Sequence, residues 1–371
     1  MTIMKTLIVS HYALPHVGGV ENLVDLEVRA LAEAGHDVVL LTSDGTGAGR
    51  TPEYGPNVRI VRSTAWHILE RKLTIPYPIF GFSFWRTLWR EVARCDVVHA
   101  HGFMFMNSAA VILVAQLQGK PSILTDHGGI QQFNSKLATF VARLGAETVG
   151  RMSATWATRN ITYNGRVLNT LNQLARRRDA EFLPNPLDGK LFYPPTPEAR
   201  QTAREQLGWQ PGRKKVLFAG RIIATKGVPL VLASADPSYD LVFCGPGDLS
   251  LLGTLPRAGG EYLPPRPQDE LRQLYHAADV LVLPADVREG FPLVVQEAVA
   301  CGLPVVLGYD PGFEPYRALP NLFFCERTVE SVRANIQQAL VAEAASKLDF
   351  FPSLEQWMRT LYRLPPPDVE F

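Results

Sequence analysis

The chain has 371 residues, more than one domain usually holds, and two domains are the better expectation. Apolar residues make up 46% and charged residues 20%, an ordinary balance for a soluble protein, and the net charge of +1 argues against a nucleic-acid binder or an acidic tail. The charge is uneven: residues 1–185 carry 19 Lys and Arg against 14 Asp and Glu, and residues 186–371 carry 18 against 22.

Lys5–Ser10 (KTLIVS) reads as a short buried strand, followed by a loop with Gly18 and Gly19. From Val20 to Ala34, Leu23, Leu26, Ala30, Leu31 and Ala34 recur at the spacing of one helix face. Gly35 supplies a left-handed stop, and Asp37–Thr42 reads as the next strand. Strand, helix and strand with continuous apolar strands predict a parallel sheet covered on both faces. Asp96–His99 and Ser122–Thr125 are further strands with a helix over Asn107–Gln118 between them, and a weaker unit occupies Ala154–Tyr163. Leu183–Pro197 holds five prolines and reads as an interdomain linker. Beyond it the pattern restarts with strands at Lys215–Ala219, Tyr239–Cys244, Val280–Leu283 and Pro304–Leu307. The expectation is an α/β protein of two doubly wound, Rossmann-like domains, 1–185 and 186–348, with an amphipathic C-terminal segment, 349–371. Cys95, Cys244, Cys301 and Cys325 lack Cys-x-x-Cys spacing and read as buried free thiols. The N-terminus lacks a secretory cleavage pattern, and the longest apolar run, Ala109–Leu117, falls short of the ~20 residues a bilayer span needs, so an intracellular protein is expected.

Gly220-Arg221 and Lys226-Gly227 (GRIIATKG) follow a strand directly. A guanidinium fork and an ammonium on one tight loop suit a diphosphate, although two solvated surface cations would read the same way. In REGFPLVVQEAVACG, Glu289 and Gly290 follow the strand VLVL, where open α/β sheets bind ligands. Pro292 suits the first turn of a helix whose free N–H groups favour phosphate, with Glu297 about one and a half turns in. Carboxylates suit sugar hydroxyls because each accepts two hydrogen bonds. Gly18-Gly19 lets backbone approach a ligand closely. His99 and His101 hint at metal, but no third ligand is near in sequence and no Asp-x-Asp occurs, so His99 reads as a satisfied core histidine. His127, followed by Gly128-Gly129, reads as a ligand contact.

Together these segments resemble the retaining glycosyltransferases of GT-B fold in family four (glycosyl transferases group 1). The resemblance rests on GGVE (Gly18–Glu21), DVVHAHG (Asp96–Gly102), TDHGG (Thr125–Gly129), LPNPLD (Leu183–Asp188), FAGRIIATKG (Phe218–Gly227), VFCGPGD (Val242–Asp248), LYHAADVLVLP (Leu274–Pro284) and EGFPLVVQEAVACGLPVV (Glu289–Val306), in order along nearly the whole chain. It implies an N-terminal acceptor domain, a C-terminal nucleotide-sugar donor domain and a last segment crossing back to the first domain. By the resemblance, Arg221 and Lys226 hold the donor diphosphate, Glu289 contacts the transferred sugar and Glu297 the ribose. Gly19, Gly220 and backbone N–H groups from Gly290 through Phe291, Pro292 and Leu293 to Val294 complete the cradle, and His127 touches the sugar. No cofactor and no metal are implied, since the nucleotide-sugar (a UDP-, GDP- or ADP-sugar) is a substrate. Asn185-Pro186 and Leu263-Pro264-Pro265-Arg266 depart from the family pattern.

The acceptor is expected to be a glycan, a lipid-linked or a small molecule. Eight cations between Ile130 and Arg178 and six aromatics between Tyr77 and Trp89 form either a membrane-docking face or a solvated basic face with aromatic packing beneath. The former places the enzyme peripherally at the inner face of the membrane, in polysaccharide biosynthesis in the cytoplasm. A nicotinamide oxidoreductase would need Gly-x-Gly-x-x-Gly after the first strand, which is missing. A nucleotide-sugar epimerase of the same fold and a non-catalytic nucleotide-sugar-binding relic are the alternatives.

Overall fold

A computed structural model describes the chain apart from residues 1–2, 17, 45–51, 69–77, 130–135, 254, 256–259, 286–289, 343–347 and 364–371. It divides into two units, Met1–Pro184 with Leu354–Phe371, and Asn185–Ser353.

The first unit is a seven-stranded parallel sheet. In chain order it comprises β1 (Lys5–Val9), α1 (Gly19–Glu33), β2 (Asp37–Ser43), β3 (Val58–Ser63), the ribbon β4 (Ala65–Trp66) and β5 (Ile79–Phe80), α2 (Phe82–Arg94), β6 (Val97–His101), α3 (Met106–Leu117), β7 (Ser122–Asp126), α4 (Lys136–Gly145), α5 (Arg151–Trp156), β8 (Arg159–Thr162), α6 (Gly165–Ala175) and β9 (Glu181–Phe182). The strand order is β3-β2-β1-β6-β7-β8-β9, so the direction of winding reverses beside β1. Both faces are covered, as the unbroken apolar strands require. On one face Ile8, Leu40 and Ile123 pack under Val24, Val28 and Leu31 of α1 and under Trp357, Met358 and Leu361 of the C-terminal helix, Leu354–Tyr362. On the other, Leu7, Val9, Val98 and Leu124 pack under Phe84, Leu88, Val92 and Val111. His99 pairs in register with Ile8 on one side and Ile123 on the other, which puts an imidazole in an otherwise apolar row beneath α1.

The second unit repeats the plan with α7 (Pro197–Gln206), β10 (Lys214–Ala219), α8 (Val228–Ala233), β11 (Tyr239–Cys244), β12 (Glu261–Leu263), α9 (Gln268–Ala277), β13 (Val280–Leu283), α10 (Leu293–Ala300), β14 (Val305–Gly308), β15 (Leu322–Cys325) and α11 (Val329–Leu340). Its six parallel strands run β12-β11-β10-β13-β14-β15, reversing beside β10. Thr196 caps α7 by accepting from Ala199, with Pro197 set in the first turn, where its missing N–H costs nothing. The chain enters and leaves this unit side by side, the Leu187 N–H donating to the Pro352 carbonyl at 2.9 Å. Gln296 on α10 ties down the start of the unit, donating to the carbonyls of Asn185 and Pro186.

The two doubly wound sheets are those expected, with four strands added. The additions, β3, β9, β12 and β15, are the four sheet edges. All four cysteines are buried and unpaired, and burial pushes their thiols up, to about 11 for Cys95 and Cys244 and about 12 for Cys301 and Cys325. No described helix is long and apolar enough to cross a membrane.

Candidate functional site

In the second unit, the loops leaving β10, β11 and β13 meet at the carboxyl ends of the strands, beside the reversal point where open α/β sheets take ligands. β10 runs into Gly220, whose φ of +141° suits glycine, then into exposed Arg221 and a single turn, Ala224–Lys226, that leaves Lys226 half-buried. Two glycines of the GPG turn after β11 let this loop lie backbone to backbone against it. A Cβ on Gly245 would sit 2.1 Å from the Gly220 carbonyl oxygen, and one on Gly247 would sit 2.3 Å from that of Ile222. The contact is sealed by Ile222 N–H to Pro246 at 2.7 Å and Asp248 N–H to Ile222 at 2.8 Å. Gly227, at φ +85°, lies against Pro284 at the end of β13, where a Cβ would come within 2.5 Å of the carbonyl oxygen.

Glu289 falls outside the described residues. Gly290 and Phe291 lead into α10, and the Phe291 ring is buried, stacked on Tyr316 at 3.6 Å, so its side chain belongs to the core. Pro292 is the N-cap of α10 and not a residue of its first turn. Having no N–H, it cannot donate to an anion, which corrects the expected cradle: its donors are at Gly290, Phe291, Leu293 and Val294. Leu293 and Val294 begin the helix half-exposed. Glu297, the fifth helical residue, is buried, accepting from the Tyr275 hydroxyl at 2.8 Å and the Gln268 amide at 3.4 Å. Burial raises its pKa to about 7, and the two hydrogen bonds only partly oppose the rise.

The first unit has its own reversal point, beside β1. Gly18 caps α1 in extended backbone, and a Cβ there would fall 2.3 Å from the Glu21 carboxylate, which is buried and contacted by His16 at 3.1 Å. Gly19 opens the helix with nothing within 4 Å of where a Cβ would stand. At the end of β7, Asp126 folds the next turn around itself, accepting from the backbone of Phe103, Gly128 and Gly129.

Three histidines and one carboxylate occupy the space between α1 and these strands. Glu27 is fully buried on α1. His99 Nδ1 lies 2.6 Å from Glu27 Oε1, to which the Tyr362 hydroxyl also donates, and His99 Nε2 lies 2.8 Å from Thr125 Oγ1. His101 Nε2 approaches Glu27 Oε2 at 3.1 Å, and His101 Nδ1 lies 3.0 Å from His127 Nε2. Burial pushes the Glu27 carboxyl upward, but the adjoining His99 and His101 outweigh it and hold the acid well below its ordinary range. Burial lowers the pKa of His101 and, more strongly, of His127, with the neighbouring imidazoles adding to both shifts.

Two expectations change here. His99 and His101 do have a third potential ligand beside them, Glu27, far away in sequence. The separation of 2.6 Å between His99 and Glu27 is a hydrogen-bond distance, short of the roughly 3.3 Å edge of a tetrahedral site with 2.0–2.1 Å bonds, so the group as it stands is a hydrogen-bonded cluster. Arg159, one of the cations read as a basic surface, is buried, forked onto Glu181 and bonded to the Leu361 carbonyl. Tyr275, Gln268, Glu27 and Tyr362 were not singled out from the sequence. For Glu27 the signal existed: it stands four residues from Leu23 and from Leu31, on the buried stripe of α1.

Two family models cover the chain in tandem, Glycosyltransferase Family 4 over residues 17–190 and Glycosyl transferases group 1 over residues 199–342. The chain belongs to this glycosyltransferase family. Among its relatives is a D-inositol 3-phosphate glycosyltransferase of Arthrobacter sp. (strain FB24), 28% identical over 78% of this chain and 73% of the relative. Among solved structures, the sucrose-phosphate synthase of Thermosynechococcus elongatus covers 97% of this chain and 94% of its own at 20% identity and a TM-score of 0.68. Anabaena HepE in complex with UDP-glucose covers 97% and 98% at 16% identity and a TM-score of 0.67. As a glycosyltransferase of GT-B fold, the protein presents both its reversal points where this architecture takes ligands.

Proposed function

We propose that this glycosyltransferase moves a hexose-type sugar from a nucleotide-sugar to a glycan, lipid-linked or small-molecule acceptor, with retention of anomeric configuration and without a metal. The observation that carries the reading is the convergence of the Gly220–Gly227 loop, the Gly245–Gly247 turn and the start of α10 at one sheet edge. Arg221 and Lys226 bind the diphosphate and offset the charge that develops on the departing nucleotide, the work a metal does in other enzymes. Free N–H groups at the start of α10 add to this, and Gly19 approaches the diphosphate by backbone. Glu297 accepts from ribose hydroxyls, Glu289 from hydroxyls of the transferred sugar, and His127 contacts that sugar. Retention needs no enzyme nucleophile if the donor phosphate itself takes the acceptor's proton.

Calorimetric titration with UDP, GDP and ADP tests the donor site. One nucleotide binds tightly, and Lys226→Ala and Glu297→Ala each weaken it at least about tenfold, near 1.4 kcal/mol. Binding of none of the three overturns the reading in favour of a non-catalytic relic. Sugar transfer that proceeds to free nucleotide only when an acceptor is present separates it from an epimerase.

The outer face of α2 favours a membrane-borne acceptor. Phe82, Trp85 and Trp89 are exposed by 80%, 40% and 52%, interleaved with exposed Arg86, Arg90 and Arg94, while Phe80 and Phe84 are buried in the core. Aromatic rings beside cations suit an anionic bilayer surface, each cation contributing about 1 kcal/mol. The protein is expected to co-sediment with anionic liposomes at low salt and to lose this with Trp85→Ala and Trp89→Ala together. Equal sedimentation of the variant and the parent would rule this face out.

A further inference from the structure

We propose that Glu27 and His101 are positioning residues that fix His127 in one tautomer, with its Nδ1 bare and reserved as a hydrogen-bond acceptor for a hydroxyl of the transferred sugar. The inference rests on the sugar contact assigned to His127 above.

The proton positions follow in sequence from the contacts. Glu27, flanked by two imidazoles and the Tyr362 hydroxyl, is ionised and can only accept. His101 Nε2 lies 3.1 Å from Glu27 Oε2, off the line of a hydrogen bond and with no hydrogen-bond partner among the described residues, and the ionised carboxylate beside it favours hydrogen on that nitrogen. A neutral His101 then has a bare Nδ1, and the atom facing it at 3.0 Å, His127 Nε2, must donate. His127 is neutral in turn, so its own hydrogen is committed inward and Nδ1 is left as a lone pair. That nitrogen is buried and has no hydrogen-bond partner among the described residues, whereas both nitrogens of His99, His101 Nδ1 and His127 Nε2 are hydrogen-bonded and His101 Nε2 lies beside the Glu27 carboxylate. The near-parallel rings of His101 and His127, 6° apart, keep the two nitrogens in line. A buried acceptor with nothing to accept is costly, and a hydroxyl donor would relieve it.

An ionised Glu27 thus selects, through one intervening ring, the role of an atom on the residue that directly follows β7. Glu27→Gln is the informative change because it reverses that selection. The amide oxygen takes the position that receives Tyr362 and His99, and the amide nitrogen faces His101 Nε2 as a donor. His101 then moves its hydrogen to Nδ1, His127 Nε2 becomes the acceptor, and His127 Nδ1 becomes a donor.

Nitrogen NMR of protein labelled with ¹⁵N-histidine, without ligand, reads these states directly, with His127→Gln assigning the resonances. The expected result is a bare Nδ1 and a protonated Nε2 on His127 in the parent, exchanged in Glu27→Gln. A protonated His127 Nδ1 in the parent overturns the proposal, whether or not the variant folds. His101→Phe is a second variant: with the relay cut, His127 should show mixed tautomers, and an unchanged single tautomer would also overturn it. Calorimetry then compares free nucleotide with the matching nucleotide-sugar. Glu27→Gln should leave the nucleotide's affinity within twofold and weaken the nucleotide-sugar at least tenfold, whereas equal losses for both would show a merely structural role. Should the parent bind no nucleotide, the donor-site reading fails while the tautomer measurement still decides the relay.

Discussion

Glu27 on α1 and Glu297 on α10 are buried glutamates of the two units, and they are treated in opposite ways. Glu27 is held by two imidazoles and a tyrosine hydroxyl, and its acid form is disfavoured. Glu297 has a tyrosine hydroxyl and one long amide contact, and burial leaves it half-protonated near pH 7. Burial alone does not determine what a carboxylate does: the imidazoles beside Glu27 outweigh its burial, and the neutral donors beside Glu297 do not. Glu27 is thereby an internal anchor, while Glu297 keeps its proton to higher pH.

Removing the anchor should have the largest effect. Glu27→Ala strands the donors of His99, His101 and Tyr362 in a dry interior, and urea unfolding should show a loss of about 3–5 kcal/mol. A loss below about 1 kcal/mol would break the contrast between the two sites. Next comes the pH response of Glu297. Its pKa rises on folding from 4.5 to about 7, so the native state keeps the proton longer and stability falls as pH rises between those values. The fall is at most about 3 kcal/mol, and Glu297→Gln should flatten this part of the unfolding profile. Over the same window nucleotide affinity should rise with pH, because the ionised form is the better acceptor for ribose. The smallest effects come from the two tyrosines. Tyr362→Phe should cost about 1–2 kcal/mol and leave Glu27 ionised, since the imidazoles remain. Tyr275→Phe should move the Glu297 midpoint above 7, readable by carboxyl NMR, because the hydroxyl that favours its charged form is gone.

The interior of each sheet was legible in the sequence and its margins were not. KTLIV, DVVLLTS and VLVL hold the apolar runs LIV, VVLL and VLVL because both their faces are covered. VRIVRS of β3 carries two arginines and is half-exposed, and β9 has only two residues, as edge strands usually end up polar or short. At the candidate site, the glycines and cations of GRIIATKG were legible because they follow a strong strand. The supporting shell was not. Tyr275 reaches Glu297 from another helix, and Glu27 reaches His99 across 72 residues, so neither pairing leaves a local spacing to read. What could be read was a charge on the stripe of α1 that should hold only apolar side chains.

The return of the chain to its first unit has a consequence for how the protein is made. Trp357, Met358 and Leu361 cover α1, and Tyr362 completes the ring of donors around Glu27, yet the whole of the second unit, Asn185–Ser353, is translated in between. At the usual ~5–20 residues per second, a ribosome needs on the order of ten seconds or more to cross that stretch. Throughout it the emerging N-terminal half carries an apolar face and a half-coordinated anion with their lid still unsynthesised.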